Sequence, residues 1–170
     1  MNIEIELSKA SVDSAISQLK EYLQLLNDKN ALFVKRLAEL GIPIIDEKIE
    51  ASAGDADKYH DTQIKIHSYG DYSEATLTVS GQDILFIEFG AGIHYNEGSS
   101  AAHAGQFGYG VGTYPGQTHA RDPKGWWYRD ETGAPQHSYG QQATAPMLQA
   151  SHEIIANIRK IAREVYGSSI

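Results

Sequence analysis

Hydrophobic positions in the first quarter of the chain recur at intervals of three and four residues. Residues 11–26 keep this spacing, which is typical of an amphipathic helix. The polar run 27–30 interrupts the pattern, and a second helical stretch, 32–40, ends at Gly41 and Pro43, a common stop signal. The sequence therefore predicts two N-terminal helices.

In the middle of the chain the spacing changes to two. Apolar and polar residues alternate over 62–67 and again over 75–80, and the turn-forming segment 68–71 follows the first of these stretches. This pattern predicts a β-hairpin. Residues 1–7 also alternate, which is compatible with a short strand, an ordered arm or a frayed terminus.

The strongest apolar run of the chain is Ile84–Phe89, which one carboxylate, Glu88, interrupts. A strand would bury alternate residues of this run, including Phe89, and would leave Glu88 at a boundary. A short helix that leads into a strand is the alternative, because periodicity does not separate helix from strand in so short a run. Gly90 and Gly92 follow and can adopt positive φ, so a sharp turn is expected there.

The last third of the chain contains a loop, an aromatic strand and a helix. The segment 93–124 is polar, rich in glycine and without apolar periodicity, which indicates a long functional loop. The aromatic run 125–133 predicts a strand and a turn, with a return strand over 135–139. From Pro146 onward a wide apolar face predicts a long terminal helix.

These elements define the expected fold class as α+β. We predict one domain, 1–170, in which N-terminal helices and the long C-terminal helix pack on an antiparallel sheet. The flexible arm 1–8 and the loop 93–124 would lie outside this core.

Composition narrows the classes of protein. The chain has 170 residues, of which 41% are hydrophobic and 21% charged, and it contains no cysteine. Disulfides, thiolate metal sites and a cysteine nucleophile are therefore excluded. A net charge of −8 argues against a broad grip on nucleic acid, because phosphate binding depends on Lys and Arg. Neither a membrane span nor a signal peptide is predicted.

The search for cofactor and metal motifs gives no convincing site. The seven histidines, chiefly four of them, invite a metal hypothesis, but they lack tight ligand spacing, and exposed loop histidines are the favoured interpretation. The glycine run 108–112 lacks the context of a phosphate loop. We therefore predict no cofactor, no metal and no catalytic residue. The four histidines are His94, His103, His119 and His137.

Glu88 has two interpretations. It could be one of a pair of catalytic carboxylates, with Asp83 or Asp130 as the second. The favoured interpretation is a structural one, in which Glu88 accepts hydrogen bonds from the amides of 90–92 and fixes the turn.

Aromatic residues around the loop are expected to pack in the core on one face and to form a protein interface on the other. The residues predicted to serve as interface or turn-fixing positions are Glu88, Phe89, Gly90, Gly92, Tyr109, Tyr114, Trp126, Trp127 and Tyr128.

Three segments in order carry a family resemblance: 86–92 (FIEFGAG), 125–128 (GWWY) and 139–147 (YGQQATAPM). Together they resemble the tail-component family of tailed bacteriophages, small neck proteins known as tail-completion or head-tail joining proteins. The N-terminal helices resemble the opening of that family as well. Ala91 departs from its usual Thr or Ser, and the loop 93–124 is longer than in compact members.

The resemblance implies a structural virion protein without catalysis. It would complete the head-proximal end of the tail and join it to the head, as a ring of copies of itself that is expected to be sixfold. Neighbouring neck and tail-tube proteins would be its partners, and DNA would pass through the channel without sequence-specific binding. Such a protein is made in the host cytoplasm and resides in the virion.

Two other classes of function stay open from the sequence. Exposed aromatics beside a flexible loop could stack on sugars, as in a carbohydrate-binding module. A small hydrolase using Glu88 is the third hypothesis.

Overall fold

The computed structural model describes residues 6, 8–53, 56–95, 104, 108, 119, 121–130 and 132–167. Tyr109, Tyr114, His103 and most of the predicted arm and loop lie outside these residues. Within the described residues the elements in chain order are the helix α1 (Lys9–Glu50), the strands β1 (Asp61–Ser68) and β2 (Ser73–Ser80), the helix α2 (Ile84–Phe89), a short 3-10 helix (Gly92–His94), the strands β3 (Trp126–Arg129) and β4 (Pro135–Ser138), and the helix α3 (Pro146–Tyr166).

The α+β class is confirmed, but its strands do not form one sheet in the described part of the chain. β1 pairs with β2, and β3 pairs with β4, as two separate two-stranded sheets. Both predicted hairpins are present, and so is the terminal helix that begins at Pro146.

The chain divides into two compact units. The first comprises 1–39, 64–77 and 154–170, and the second 40–63 and 78–153. The single domain 1–170 stays a prediction.

The prediction of two N-terminal helices is wrong, because α1 is one helix of 42 residues. Its polar stretch 27–30 is helical because side chains within it find partners along and beside the helix. Gln24 Nε2 donates to Asp28 Oδ1 at 2.9 Å, and the Tyr166 hydroxyl donates to Asn30 Oδ1 at 2.6 Å. Asn and Asp each cost a helix less than about 1 kcal/mol, which such contacts offset.

The expected stop at Gly41 and Pro43 is also overridden. Pro43 removes one helical hydrogen bond, at a cost of about 3 kcal/mol in a helix interior. Within the next two turns, Ile45 and Ile49 are fully buried at 0% exposure. Burial of an isoleucine contributes about 1.5–3 kcal/mol, so the two together outweigh the proline.

The run Ile84–Phe89 is a short helix, so the strand prediction is wrong; the helix of the alternative is present, but no strand follows it in residues 90–95. The Phe86 and Ile87 amides both donate to the Asp83 carbonyl, at 2.9 and 3.1 Å. Ile84, Ile87 and Glu88 share one face of this helix at helical spacing, and all three are buried. Phe89 packs in a buried cluster with Tyr95 and Ala104.

Candidate functional site

Glu88 lies at the beginning of α3. Its side chain is only 6% exposed, and its two carboxylate oxygens accept hydrogen bonds from the Met147 amide at 2.8 Å and the Leu148 amide at 3.1 Å. The first amides of a helix have no intrahelical partner, and the helix dipole favours a negative charge there. Glu88 therefore caps α3 from a position 59 residues earlier in the chain.

This placement corrects the expected role of Glu88 in the following turn. The Gly90 amide donates to the Phe86 carbonyl and the Ala91 amide to the Gln141 carbonyl, each at 2.8 Å. Glu88 is an acceptor for backbone amides, as predicted, but the amides belong to α3. The carboxylate faces the helix because α2 is itself helical, which turns Glu88 away from the direction that a strand would give it.

The segment 139–148 is tied to the turn by backbone hydrogen bonds as well. Ala91 and Gln141 exchange two of them, at 2.8 and 3.2 Å, and the Ile93 amide donates to the Tyr139 carbonyl at 3.0 Å. We call the contact between residues 86–93 and 139–148 the joint. Two of the segments that carry the family resemblance, 86–92 and 139–147, thus form a single structural feature.

Glycine is required in the joint by the close approach of the two backbones. A Cβ on Gly140 would lie 2.0 Å from the Ala91 carbonyl oxygen, and a Cβ on Gly92 would lie 2.3 Å from the Tyr139 carbonyl oxygen. Both glycines have positive φ, of 119° and 59°. Any side chain here would separate the two segments.

Sequence reasoning missed three contributors to the joint. The Thr144 amide donates to the Ile87 carbonyl at 2.9 Å, and its hydroxyl donates to the Lys48 carbonyl at 3.0 Å. Gln141 is 3% exposed, and Ala145 is buried with φ 49°. The signal for them in the sequence is their position between Gly140 and Pro146, the residue at which α3 begins.

The strands β3 and β4 form the second candidate region, which we call the aromatic hairpin (residues 125–138). Trp127 pairs with His137 across the hairpin, and their rings pack edge to face with 4.8 Å between the ring centroids. His137 contacts Tyr139 in the same way at 4.7 Å. Trp127 is 71% exposed and Tyr139 57%, so these rings line an outward-facing aromatic surface.

The aromatic side chains of β3 differ in burial. Trp126 is half-buried, stacks on His119 at 5.1 Å and approaches Gly92 so closely that a Cβ there would lie 2.6 Å from its ring. Tyr128 is at the boundary of exposure, at 37%. The alternation of inner Trp126 and outer Trp127 agrees with a strand that has one packed face and one open face.

Asp130 closes the turn of the aromatic hairpin. Its Oδ1 accepts hydrogen bonds from the Thr132 amide and hydroxyl, at 2.9 and 2.6 Å, and from the Ala134 amide at 3.0 Å, and its Oδ2 accepts one from Gln136 at 2.9 Å. The bonds from Thr132 and Gln136 lower the pKa of the Asp130 carboxyl to about 2. Asp130 is thus an ionised turn-forming residue, which does not suit a general acid.

An open cleft of about 460 Å³ lies beside His60 in the second compact unit. The His60 ring contacts the Lys58 carbonyl at 2.8 Å and the Asp46 carboxylate at 3.0 Å. The Lys58 carbonyl, followed by Asp46, raises the pKa of His60 above its usual value. Glu50 and Asp61 also line the cleft and make it acidic.

The candidate metal ligands that the structure describes are not brought together, and His103 lies outside the described residues. Among the residues that the structure describes, no three His, Asp or Glu side chains are arranged to hold a metal ion. His119 stacks on Trp126, and His137 belongs to the aromatic surface. No helix within the described ranges is long and apolar enough to cross a membrane.

Comparison with known proteins gives no relative: no family model, no curated protein and no solved structure matches this chain.

Proposed function

We propose that this chain is a structural, non-catalytic component of the neck of a tailed bacteriophage, where it completes the head-proximal end of the tail and mediates head-tail joining. The observation that carries the proposal is the joint. The segments 86–92 and 139–147, on which the resemblance to the tail-component family rests, meet through Glu88 and the Ala91–Gln141 hydrogen bonds. A contact that needs both segments explains why they occur together in one sequence.

The proposed role assigns Glu88 to structure. Both of its oxygens bind amides at the start of α3, and the side chain is almost fully buried. A carboxylate held in this way stabilises the fold and has little access to a substrate. The rigid joint would carry the aromatic surface of Trp127 and Tyr139 toward neighbouring proteins of the neck.

Copies of the chain would form a ring around the DNA channel, with a heterologous contact that closes by rotation. The net charge of −8 suits a surface past which DNA moves, because like charges prevent adhesion. The protein would be made in the host cytoplasm and retained in the virion.

Electron microscopy of phage particles tests this function. Particles are prepared from a phage whose gene for this chain carries an early stop codon, with and without the intact protein supplied in trans. We expect filled heads beside unattached or malformed tails, and joined particles when the protein is supplied. Normally joined particles in its absence would refute the neck function.

The exposed aromatic surface favours carbohydrate binding as the second candidate function. Trp127 and Tyr139 present rings to solvent on either side of the half-buried His137, and such rings can stack on sugars. Isothermal titration with cell-wall glycan fragments would then show saturable binding that Trp127→Ala abolishes. Tyr59→Ala removes an 80% exposed ring elsewhere and is the matched control. Absence of binding to the unsubstituted protein rejects this candidate.

A further inference from the structure

The N-terminal half of α1 carries an apolar stripe that its own chain leaves exposed. Every residue from Ile16 to Leu25 is exposed to solvent. Val12, Ile16, Leu19 and Leu23 follow one another at intervals of four, three and four residues, and their exposed fractions are 43%, 46%, 53% and 56%. This spacing places all four side chains in the narrow seam that is characteristic of coiled coils.

The same seam binds a helix further along α1. Continuing the repeat leads to Leu26, Asn30 and Phe33. Tyr166 of α3 donates a hydrogen bond to Asn30 at 2.6 Å, and its ring lies 5.7 Å from that of Phe33. Where α3 is present the seam is covered. α3 ends at Tyr166, which contacts Asn30. From there α1 continues toward its N-terminus for 21 residues, Lys9–Lys29, a length of about 30 Å.

We infer that the exposed seam of α1 pairs with the seam of a second copy of this chain, as an antiparallel two-helix coiled coil centred between Ser17 and Gln18. In this register Val12 packs against Leu23 of the second copy, and Ile16 packs against Leu19. The pairing is isologous, so each contact occurs twice about a two-fold axis. It is independent of the proposed neck function and of the ring contact.

Charge selects this register among the alternatives. Asp13 and Lys20 flank the seam on one side, and among the residues that the structure describes neither forms an ion pair. The antiparallel register above brings Asp13 of each copy beside Lys20 of the other. A shift of the antiparallel pair by one heptad would place the two Lys20 side chains together, and a parallel pair would give neither Asp13 nor Lys20 an oppositely charged partner.

The mass of the full chain in solution tests the pairing. Sedimentation velocity should show a dimer or a multiple of it, and Leu19→Asp should separate the copies while circular dichroism keeps its helical signal. Ser17→Asp adds the same charge on the exposed side of the helix away from the seam and should leave the mass unchanged. A monomeric unsubstituted chain, or an assembly that Leu19→Asp leaves intact, would overturn the inference.

Charge reversal tests the register. Asp13→Lys and Lys20→Asp should each raise the Kd of the pair about tenfold, because two attractive pairs become repulsive. The double substitution restores both pairs with exchanged signs and should return the Kd to its original value. Failure of the double variant to recover would contradict the antiparallel register.

Cysteine cross-linking tests the direction of the helices. The chain has no cysteine, so Val12→Cys and Leu23→Cys introduce unique thiols. An oxidised mixture of the two variants should form disulfide-linked dimers, whereas Val12→Cys alone should not. In the antiparallel pair the two thiols of Val12→Cys lie about 16 Å apart, too far for a disulfide. Efficient self-linking of Val12→Cys would show a parallel pair and overturn the proposal.

Discussion

The joint and the aromatic hairpin both depend on a carboxylate and on glycines, yet they use them differently. Glu88 is buried and connects positions 59 residues apart, whereas Asp130 is only partly buried and binds amides two and four residues away. Gly140 has no room for a side chain, whereas Gly133 has open space around it. The first region holds distant parts of the chain together, and the second shapes only its own turn.

The largest effect is expected from Gly140→Ala. The new Cβ would lie 2.0 Å from the Ala91 carbonyl oxygen at a positive φ, so the Ala91–Gln141 hydrogen bonds would break. We expect a loss of about 4 kcal/mol in the free energy of unfolding, measured by urea denaturation.

Gly133→Ala is the matched control in the aromatic hairpin, because Gly133 has φ 81° and, among the described residues beyond its two chain neighbours, no atom lies within 4 Å of the new Cβ. It should cost only about 1 kcal/mol. Equal losses for the two variants would refute the close contact in the joint.

Next in size is Glu88→Ala. It leaves the partly buried Met147 and Leu148 amides without these acceptors, which should cost about 3 kcal/mol and lower Tm by roughly 10 °C. Calorimetry provides the measurement. Asp130→Ala removes the same number of acceptor oxygens from a turn at the surface and should lower Tm less. A larger drop in Tm for Asp130→Ala than for Glu88→Ala would contradict the difference drawn between the joint and the aromatic hairpin.

Acid titration tests whether the hydrogen bonds of Asp130 in the aromatic hairpin lower its pKa. The pKa of Asp130 is lowered from 3.8 to about 2, so its contribution to the turn is fully present above pH 3.8 and is lost as pH falls through about 2. NMR of the Asp130 side-chain carboxyl should give a midpoint near pH 2. A midpoint near the ordinary value would show that the Thr132 and Gln136 hydrogen bonds do not persist in solution.

The smallest effect on stability is expected from Trp127→Ala, because that ring is 71% exposed. Tm should stay almost unchanged. Trp126→Ala should lower it, since Trp126 is half-buried, stacks on His119 and lies over Gly92. Similar Tm values for the two variants would contradict the assignment of inner and outer faces.

The sequence predictions are confirmed where residues close together in the sequence determine the structure. Both hairpins and the start of α3 at Pro146 were predicted because alternation, turn residues and proline act within a few positions. The break predicted at 27–30 is wrong because Asp28 and Asn30 have hydrogen-bond partners along and beside the helix. The stop predicted at Pro43 is wrong because burial of Ile45 and Ile49 stabilises the continuation of α1.

The joint illustrates what sequence could not supply. The sequence predicts that Glu88 accepts hydrogen bonds from the amides of 90–92, because a strand over 84–89 would end beside that turn. The structure shows the amides of Met147 and Leu148 as donors to Glu88. A six-residue apolar run buried on most sides gives no periodicity to separate helix from strand. Its partners, Met147 and Leu148, are distant in sequence and become visible only when the fold brings them together.

The most direct measurement of the central claim is rescue of the stop-codon phage by Glu88→Gln protein at low and at high temperature. Gln keeps an acceptor oxygen and the size of the side chain but removes the charge that caps α3. If Glu88 is structural, the variant should restore head-tail joining at the low temperature, where it stays folded, and fail at the high one. A variant that is folded yet fails to join heads and tails at both temperatures would contradict this account.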